Sequence, residues 1–167
     1  MIDLDRLNGR LPYRATREQT SAGEFFRFTT EHGVEYSVGF LPDDSIVSKD
    51  TFQFIISNIN DKPSPNDDKV RETIMIMIDE FFLTSPKEVL LYICETADGK
   101  QAMRNRLFHY WFSMYDRNGE FTCLSSSIPD EEGIMNYATL IIRNDNPALT
   151  ERMNEFLETI QLLNSKP

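Results

Sequence analysis

A short polar loop and the helix start that follows it carry the most distinctive chemical groups in the sequence. Asp98, Gly99, Lys100 and Arg104 lie close together there. A helix N-terminus offers free backbone N–H groups, so this segment is a candidate anion or ligand site. Arg104 falls inside the apolar arc of the predicted helix, where its guanidinium needs a partner. An ion pair with a carboxylate is the simpler alternative, and we expect Arg104 to be largely buried in such a pair.

Motifs that define the common enzyme classes are missing from the sequence. It contains no phosphate-loop, dinucleotide-binding, zinc-protease or serine-hydrolase signature. The two histidines are His32, in a predicted hairpin turn, and His109, on the predicted polar side of a helix. We therefore predict no catalytic residue and no metal site. The acidic pairs and triplets are more simply explained as turns, a helix start and a loop: Asp43–Asp44, Asp67–Asp68 and Asp130–Glu132.

Length, charge and cysteine usage narrow the class of protein. The chain has 167 residues and a net charge of −10, which fits one domain and disfavours binding to nucleic acid or anionic membranes. No apolar run approaches the ~20 residues of a membrane helix. Acids at Asp3 and Asp5 do not fit a secretory signal. We expect a cytoplasmic protein in which Cys94 and Cys123 are reduced core thiols.

The first part of the chain predicts an arm or short helix followed by a strand meander. Residues 1–22 are mostly polar, and residues 23–167 are interpreted as a single α+β domain. Alternating apolar residues predict strands between Phe25 and Ser57, with a hairpin turn at Glu31–Gly33. A helix follows, capped by Asn66 or Asp67 and ended by Pro86.

The second part alternates strands and helices. A buried, central strand is predicted at Val89–Cys94, followed by a helix that ends at Asn118–Gly119. Strands follow near 120–127 and 135–143, and a last helix is capped by Asn146 with Pro147 at its first position. The order βββ-α-β-α-ββ-α predicts a mixed, mainly antiparallel sheet of about six strands. The core-facing residues expected on the two later helices are Met103, Leu107, Tyr110, Trp111 and Met114, extended by Phe108 and Phe112, and then Leu149, Met153, Phe156, Leu157, Ile160 and Leu163.

Four segments carry a resemblance to a known family. They are Tyr36–Phe40, Ile93–Thr96, Asp98–Phe108 and Ile128–Gly133. In these segments, and across most of residues 25–163, the chain resembles a family of small acidic gut-bacterial proteins that contain a domain of unknown function. This resemblance implies no activity.

A second resemblance is topological. The element order and the stretch Tyr115–Phe121 look like those of the acyl-CoA-dependent N-acetyltransferase superfamily. The resemblance implies that Tyr115 matches the tyrosine that protonates the departing thiolate, and that acetyl-CoA is the cofactor. That superfamily cradles pyrophosphate on a glycine-rich turn. Here the corresponding turn, Asn66–Arg71, has no glycine and two carboxylates.

Our first interpretation is therefore a non-enzymatic interaction or regulatory domain of the bacterial cytoplasm, with no cofactor and with a protein partner that has a basic surface. The candidate partner face is the outer side of the last helix: Glu151, Asn154, Glu155 and Glu158. The alternative is an N-acyltransferase-like protein with a degenerate or atypical acetyl-CoA site. On the first interpretation, acetyl-CoA neither binds nor stabilises the protein.

Overall fold

A computed structural model describes the chain except for residues 45, 48–49, 95–100, 117 and 166–167. Of residues 94, 101 and 102 only the backbone is described. The elements, in chain order, are α1 (Leu4–Asn8), β1 (Thr16–Gln19), β2 (Glu24–Thr29), β3 (Glu35–Pro42), β4 (Thr51–Asn58), α2 (Asp68–Thr84), β5 (Val89–Cys94), α3 (Gln101–Tyr115), β6 (Phe121–Pro129), β7 (Met135–Arg143) and α4 (Leu149–Asn164).

The predicted α+β class and element order are confirmed. Within the described residues, the strands form a mixed, mainly antiparallel sheet of seven strands in the order β1-β2-β3-β4-β5-β7-β6, one more than the approximate prediction. The additional strand is β1, whose sequence Thr-Arg-Glu-Gln has no apolar alternation. Its antiparallel pairing with β2 supplies the hydrogen bonds that hold it extended.

The structure divides into two compact units: residues 1–42 with 54–86, and residues 43–53 with 87–167. In the first unit, α2 packs on the meander through aromatic rings. The Phe81 ring stacks on Phe40 with centroids 5.0 Å apart, and Phe40 also contacts Phe54 at 5.4 Å. Asp67 caps α2 by accepting a hydrogen bond from Lys69 N–H at 2.9 Å, as one of the two predicted caps.

In the second unit, α3 and α4 cover opposite faces of the strands β5, β7 and β6. Tyr92 contacts Phe108 of α3, with ring centroids 4.3 Å apart. Alternate residues of β5 therefore face different helices, which confirms that this strand is covered on both faces. The core on the α4 side consists of Val47, Val89, Leu91, Ala138, Leu140, Ile142, Phe156 and Ile160.

Two details of α4 differ from the sequence analysis. The helix begins at Leu149, after an Ala148 cap that makes no side-chain hydrogen bond; Asn146 instead accepts from Ala148 N–H. Leu157, expected in the core stripe, is exposed, whereas Arg152 lies buried on the same line as Phe156. No helix among the described residues is long and apolar enough to cross a membrane.

Candidate functional site

Helix α3 presents an exposed apolar stripe on its outer face. Met103, Leu107, Tyr110 and Met114 recur at spacings of four, three and four residues and are 52%, 46%, 60% and 37% exposed. The sequence analysis placed these residues against the core, and that assignment is wrong. The helix is apolar on both sides, so the periodicity could not distinguish the face that packs on the strands from the face that meets solvent. We call these four residues the α3 stripe.

The inner face of α3 carries a polar network in place of a fully apolar contact. Thr139 of β7 is completely buried and Asn105 nearly so. His109 Nε2 lies 3.0 Å from Thr139 Oγ1, which lies 3.2 Å from both Asn105 Oδ1 and Ser125 Oγ. When His109 Nε2–H donates to Thr139 and Thr139 donates to Asn105, these three groups are satisfied. His109 was expected on the polar side of the helix, and that prediction is wrong.

Next to this network lies a surface pocket of about 240 Å³ lined by His109, Phe112, Ser113, Asp116, Phe121 and Cys123. Its volume is below the ~300–1,000 Å³ typical of small-molecule sites. Asp116 is already engaged, since its carboxylate accepts from the backbone N–H groups of Glu120 at 2.8 Å and Phe121 at 3.2 Å. The pocket therefore combines aromatic walls with polar groups that are largely occupied by the protein itself.

The protonation states in the pocket disfavour nucleophilic chemistry. Burial, with a smaller effect from the nearby Asp116 carboxylate, raises the pKa of the Cys123 thiol to about 12. The thiol is therefore protonated at neutral pH, and the thiolate is the reactive form of cysteine. Burial also lowers the pKa of His109 below its ordinary value, which keeps the imidazole neutral. These groups behave as the structural residues that the sequence analysis expected of Cys123.

The lowered pKa of His109 predicts a pH-dependent contribution to stability. Between its folded pKa and the ordinary value of about 6.5, the unfolded chain binds more protons than the folded chain. The free energy of unfolding should therefore decrease as the pH falls below about 6.5. Urea unfolding at several pH values measures it. We expect His109→Gln to remove this part of the pH dependence; an equal slope in the wild type and the variant would contradict the assignment.

The sequence-predicted ligand site lies mostly outside the described residues. Asp98, Gly99 and Lys100 belong to that part of the chain. Arg104, on α3, is partly buried and has an interaction partner; its pairing with a carboxylate and the anion site itself stay predictions. Tyr115 packs against the rings of Phe112 and Phe121, with centroids 5.7 and 6.3 Å apart.

The start of α2, where the acyltransferase resemblance requires a phosphate cradle, is occupied by side chains. Asp67 accepts from Lys69 N–H at 2.9 Å and from the Tyr13 hydroxyl at 2.6 Å. A carboxylate therefore takes the position at the positive end of the helix dipole that an anion would need. Nothing in the described part of the chain supports the acyltransferase alternative.

The outer face of α4 is acidic, as predicted, but part of its charge is compensated. Glu155 Oε1 accepts from Arg152 Nη1 at 3.0 Å, and Glu151 lies 3.7 Å from the same nitrogen. Asn154 and Glu158 are exposed. Arg152 is buried. The sequence analysis did not predict this, because a search for apolar residues at helical spacing leaves arginine out. The use of this face by a basic partner stays a prediction.

Comparison with known families identifies the class. Residues 66–158 match the model of a protein family that is described as a family of unknown function, DUF6169. That range covers more than half of the chain, so the protein belongs to this family, and the sequence-based recognition of such a family is confirmed. No curated protein matches the chain significantly. The acetyltransferase resemblance is not confirmed.

Proposed function

We propose that the protein is a non-enzymatic interaction domain that binds a protein partner through the outer face of α3. The α3 stripe carries this proposal. Exposed apolar residues are ordinary when scattered, but adjacent ones along one helix face are typical of a helix that docks against another surface. Tyr110 adds a large, rigid side chain with a polar tip, a residue type enriched at binding hot spots.

The charges beside the α3 stripe suggest the chemistry of the partner. Helix α3 carries Arg104 and Arg106 and no acidic residue among 101–115, although the whole chain has a net charge of −10. Arg106 is exposed. A complementary surface would therefore combine an apolar centre with acidic residues at its rim. This differs from the basic partner that the sequence analysis expected at the acidic outer side of the last helix, because residues 101–115 of α3 include no acidic residue.

Affinity capture with matched variants tests the proposal. Leu107→Glu combined with Tyr110→Glu places two charges in the centre of the α3 stripe. Because both residues are exposed, we expect the free energy of unfolding to change by less than about 1 kcal/mol. The wild-type protein should retain an acidic protein from native lysate, identified by mass spectrometry. Binding should fall at least about tenfold for the double variant, a change of ~1.4 kcal/mol.

Leu162→Glu is the control, since Leu162 of α4 is 66% exposed and lies outside the α3 stripe. It should bind the partner as the wild type does. Equal capture by the double variant and the wild type would contradict the proposal. So would a wild-type dimer that the double variant converts to a monomer in light scattering, because the stripe would then serve self-association.

A further inference from the structure

A second candidate site lies in the other unit, where the β2–β3 turn approaches the start of α2. Glu31, His32 and Asp67 each place one ligand atom so that all three atoms lie within 4.8 Å of one another. The sequence analysis predicted no metal site, because it considered His32 as a solvated turn residue and Asp67 as a helix cap. Asp67 is indeed the cap, but the fold brings it beside the histidine.

A buried tyrosine holds the two segments together. The Tyr13 hydroxyl donates to Asp67 Oδ2 at 2.6 Å and accepts from Glu31 N–H at 3.4 Å. Its ring is only 8% exposed and stacks on Phe28 with centroids 5.9 Å apart. Asp67 Oδ1 also accepts from Lys69 N–H at 2.9 Å. The carboxylate is thus oriented before any ligand arrives.

The turn that carries the other two side chains is also fixed. Thr30 Oγ1 accepts from the N–H groups of His32 and Val34, both at 3.2 Å. Gly33 has φ of 76°, a left-handed conformation that glycine adopts without steric cost. The backbone positions of Glu31 and His32 are therefore set by the turn, and only their exposed side chains need to move. Hydrogen bonds to the ligand side chains themselves, such as that from Tyr13 to Asp67, orient ligands in metal sites.

We propose that Glu31, His32 and Asp67 bind a divalent transition-metal ion, with Zn²⁺ as the ion that suits this donor set best. One imidazole nitrogen and two carboxylate oxygens match the ligands of zinc, whereas Mg²⁺ and Ca²⁺ prefer oxygen-only shells. Three protein ligands leave a position for water in a tetrahedral shell. The histidine distinguishes this cluster from an ordinary group of surface acids.

The ammonium group of Lys69 competes with a metal ion for the same site. Its Nζ lies 3.5 Å from Glu31 Oε2 and 5.9 Å from the centre of the Tyr13 ring. An ammonium near a carboxylate ligand repels a divalent cation. Removal of Lys69 should therefore tighten metal binding. The variant that distinguishes the proposed site is His32→Gln, because loss of an imidazole ligand would not weaken a non-specific electrostatic attraction to an acidic protein.

Isothermal titration of the metal-free full chain with ZnCl₂ tests the site. We expect saturable binding to one site, weakened at least about tenfold by His32→Gln, since even supporting residues of metal sites contribute ~10–100-fold. Asp67→Asn should also weaken binding, and it keeps a good helix cap. Lys69→Met should tighten it. Thermal unfolding without metal checks that each variant folds.

The controls separate this site from adventitious binding. Glu72→Gln removes an exposed acid from the same helix, and Cys123→Ala removes a thiol in the other unit; both should bind Zn²⁺ as the wild type does. Mg²⁺ and Ca²⁺ should give no saturable heat. Wild-type affinity in His32→Gln, loss of binding in Cys123→Ala, or no saturable binding below about 1 mM Zn²⁺ would overturn the proposal.

Discussion

Phe156→Ala is expected to lower the free energy of unfolding by about 3–5 kcal/mol. The ring is fully buried and lies in the cluster that joins α4 to β5 and β7. Truncation would remove the transfer free energy of the ring and leave a cavity that close-packed neighbours fill only in part. Because a domain is stable by only ~5–15 kcal/mol, this is a large fraction of the total. Urea unfolding followed by circular dichroism measures it.

Leu157→Ala is the matched control on the same helix. The sequence analysis placed Leu157 in the core stripe with Phe156, but its side chain is 50% exposed. Its truncation should cost less than about 1 kcal/mol, because little apolar area returns to water. Similar decreases in the free energy of unfolding for the two variants would show that α4 does not pack on the strands through the face that carries Phe156.

Helix α4 illustrates which part of the fold the sequence could predict. The 3.6-residue period of its apolar residues predicts the helix, but it wrongly places Leu157 among the residues that pack on the core. The buried residues of the helix are Arg152, Phe156 and Ile160. A pattern of hydrophobic residues cannot predict the burial of the arginine. Arg152 is tolerated there because Glu155 accepts its hydrogen bond and Asp50, remote in the sequence, lies 3.8 Å away.

Helix α3 shows a different limit. Its existence and approximate length followed from the spacing of apolar residues, but two faces of the helix are apolar. The side that packs is decided by partners on other elements, such as the Tyr92 ring against Phe108 and Thr139 against His109. The α3 stripe was therefore identified as a set of residues but assigned to the wrong environment, and the exposed surface that supports the proposed function could be recognised only in the structure.

Contacts between segments that are far apart in the sequence cannot be predicted from local sequence patterns, for the same reason. The hairpin turn at Glu31–Gly33 and the cap at Asp67 were both predicted from local signals. What joins them is Tyr13, in a segment that the sequence analysis interpreted only as an arm or short helix. The same segment contains α1 and Arg10, which reaches a buried carboxylate of α2.

That carboxylate, Glu80, gives the second prediction with a large expected effect. Its side chain is 1% exposed, its Oε1 accepts from Arg10 Nη1 at 2.6 Å, and Arg6 Nε lies 3.4 Å away. Burial lowers the pKa of Arg10, but its hydrogen bonds and attraction to Glu80 and Asp79 outweigh this and raise it. Arg10 is thus a charged partner throughout the accessible pH range.

Arg10→Met should lower the free energy of unfolding by about 3 kcal/mol, because it leaves the charge of Glu80 buried with only the exposed Arg6 beside it. This is the low end of the range for a broken buried pair, since Arg10 is itself 37% exposed and water screens part of the interaction.

Combining Arg10→Met with Glu80→Met should restore part of the loss, since the buried charge of Glu80 is removed. The recovery is not complete, because Asp79, whose side chain is 23% exposed, still loses its 2.8 Å contact with Arg10 Nη1. Arg27→Met is the control, because Arg27 and Glu18 form an ion pair in which both side chains are about half exposed, and such pairs contribute at most ~1 kcal/mol. Urea unfolding of the wild type and these three variants measures the differences. A loss for Arg10→Met no larger than that for Arg27→Met, or no recovery in the double variant, would show that the buried carboxylate of Glu80 does not depend on Arg10.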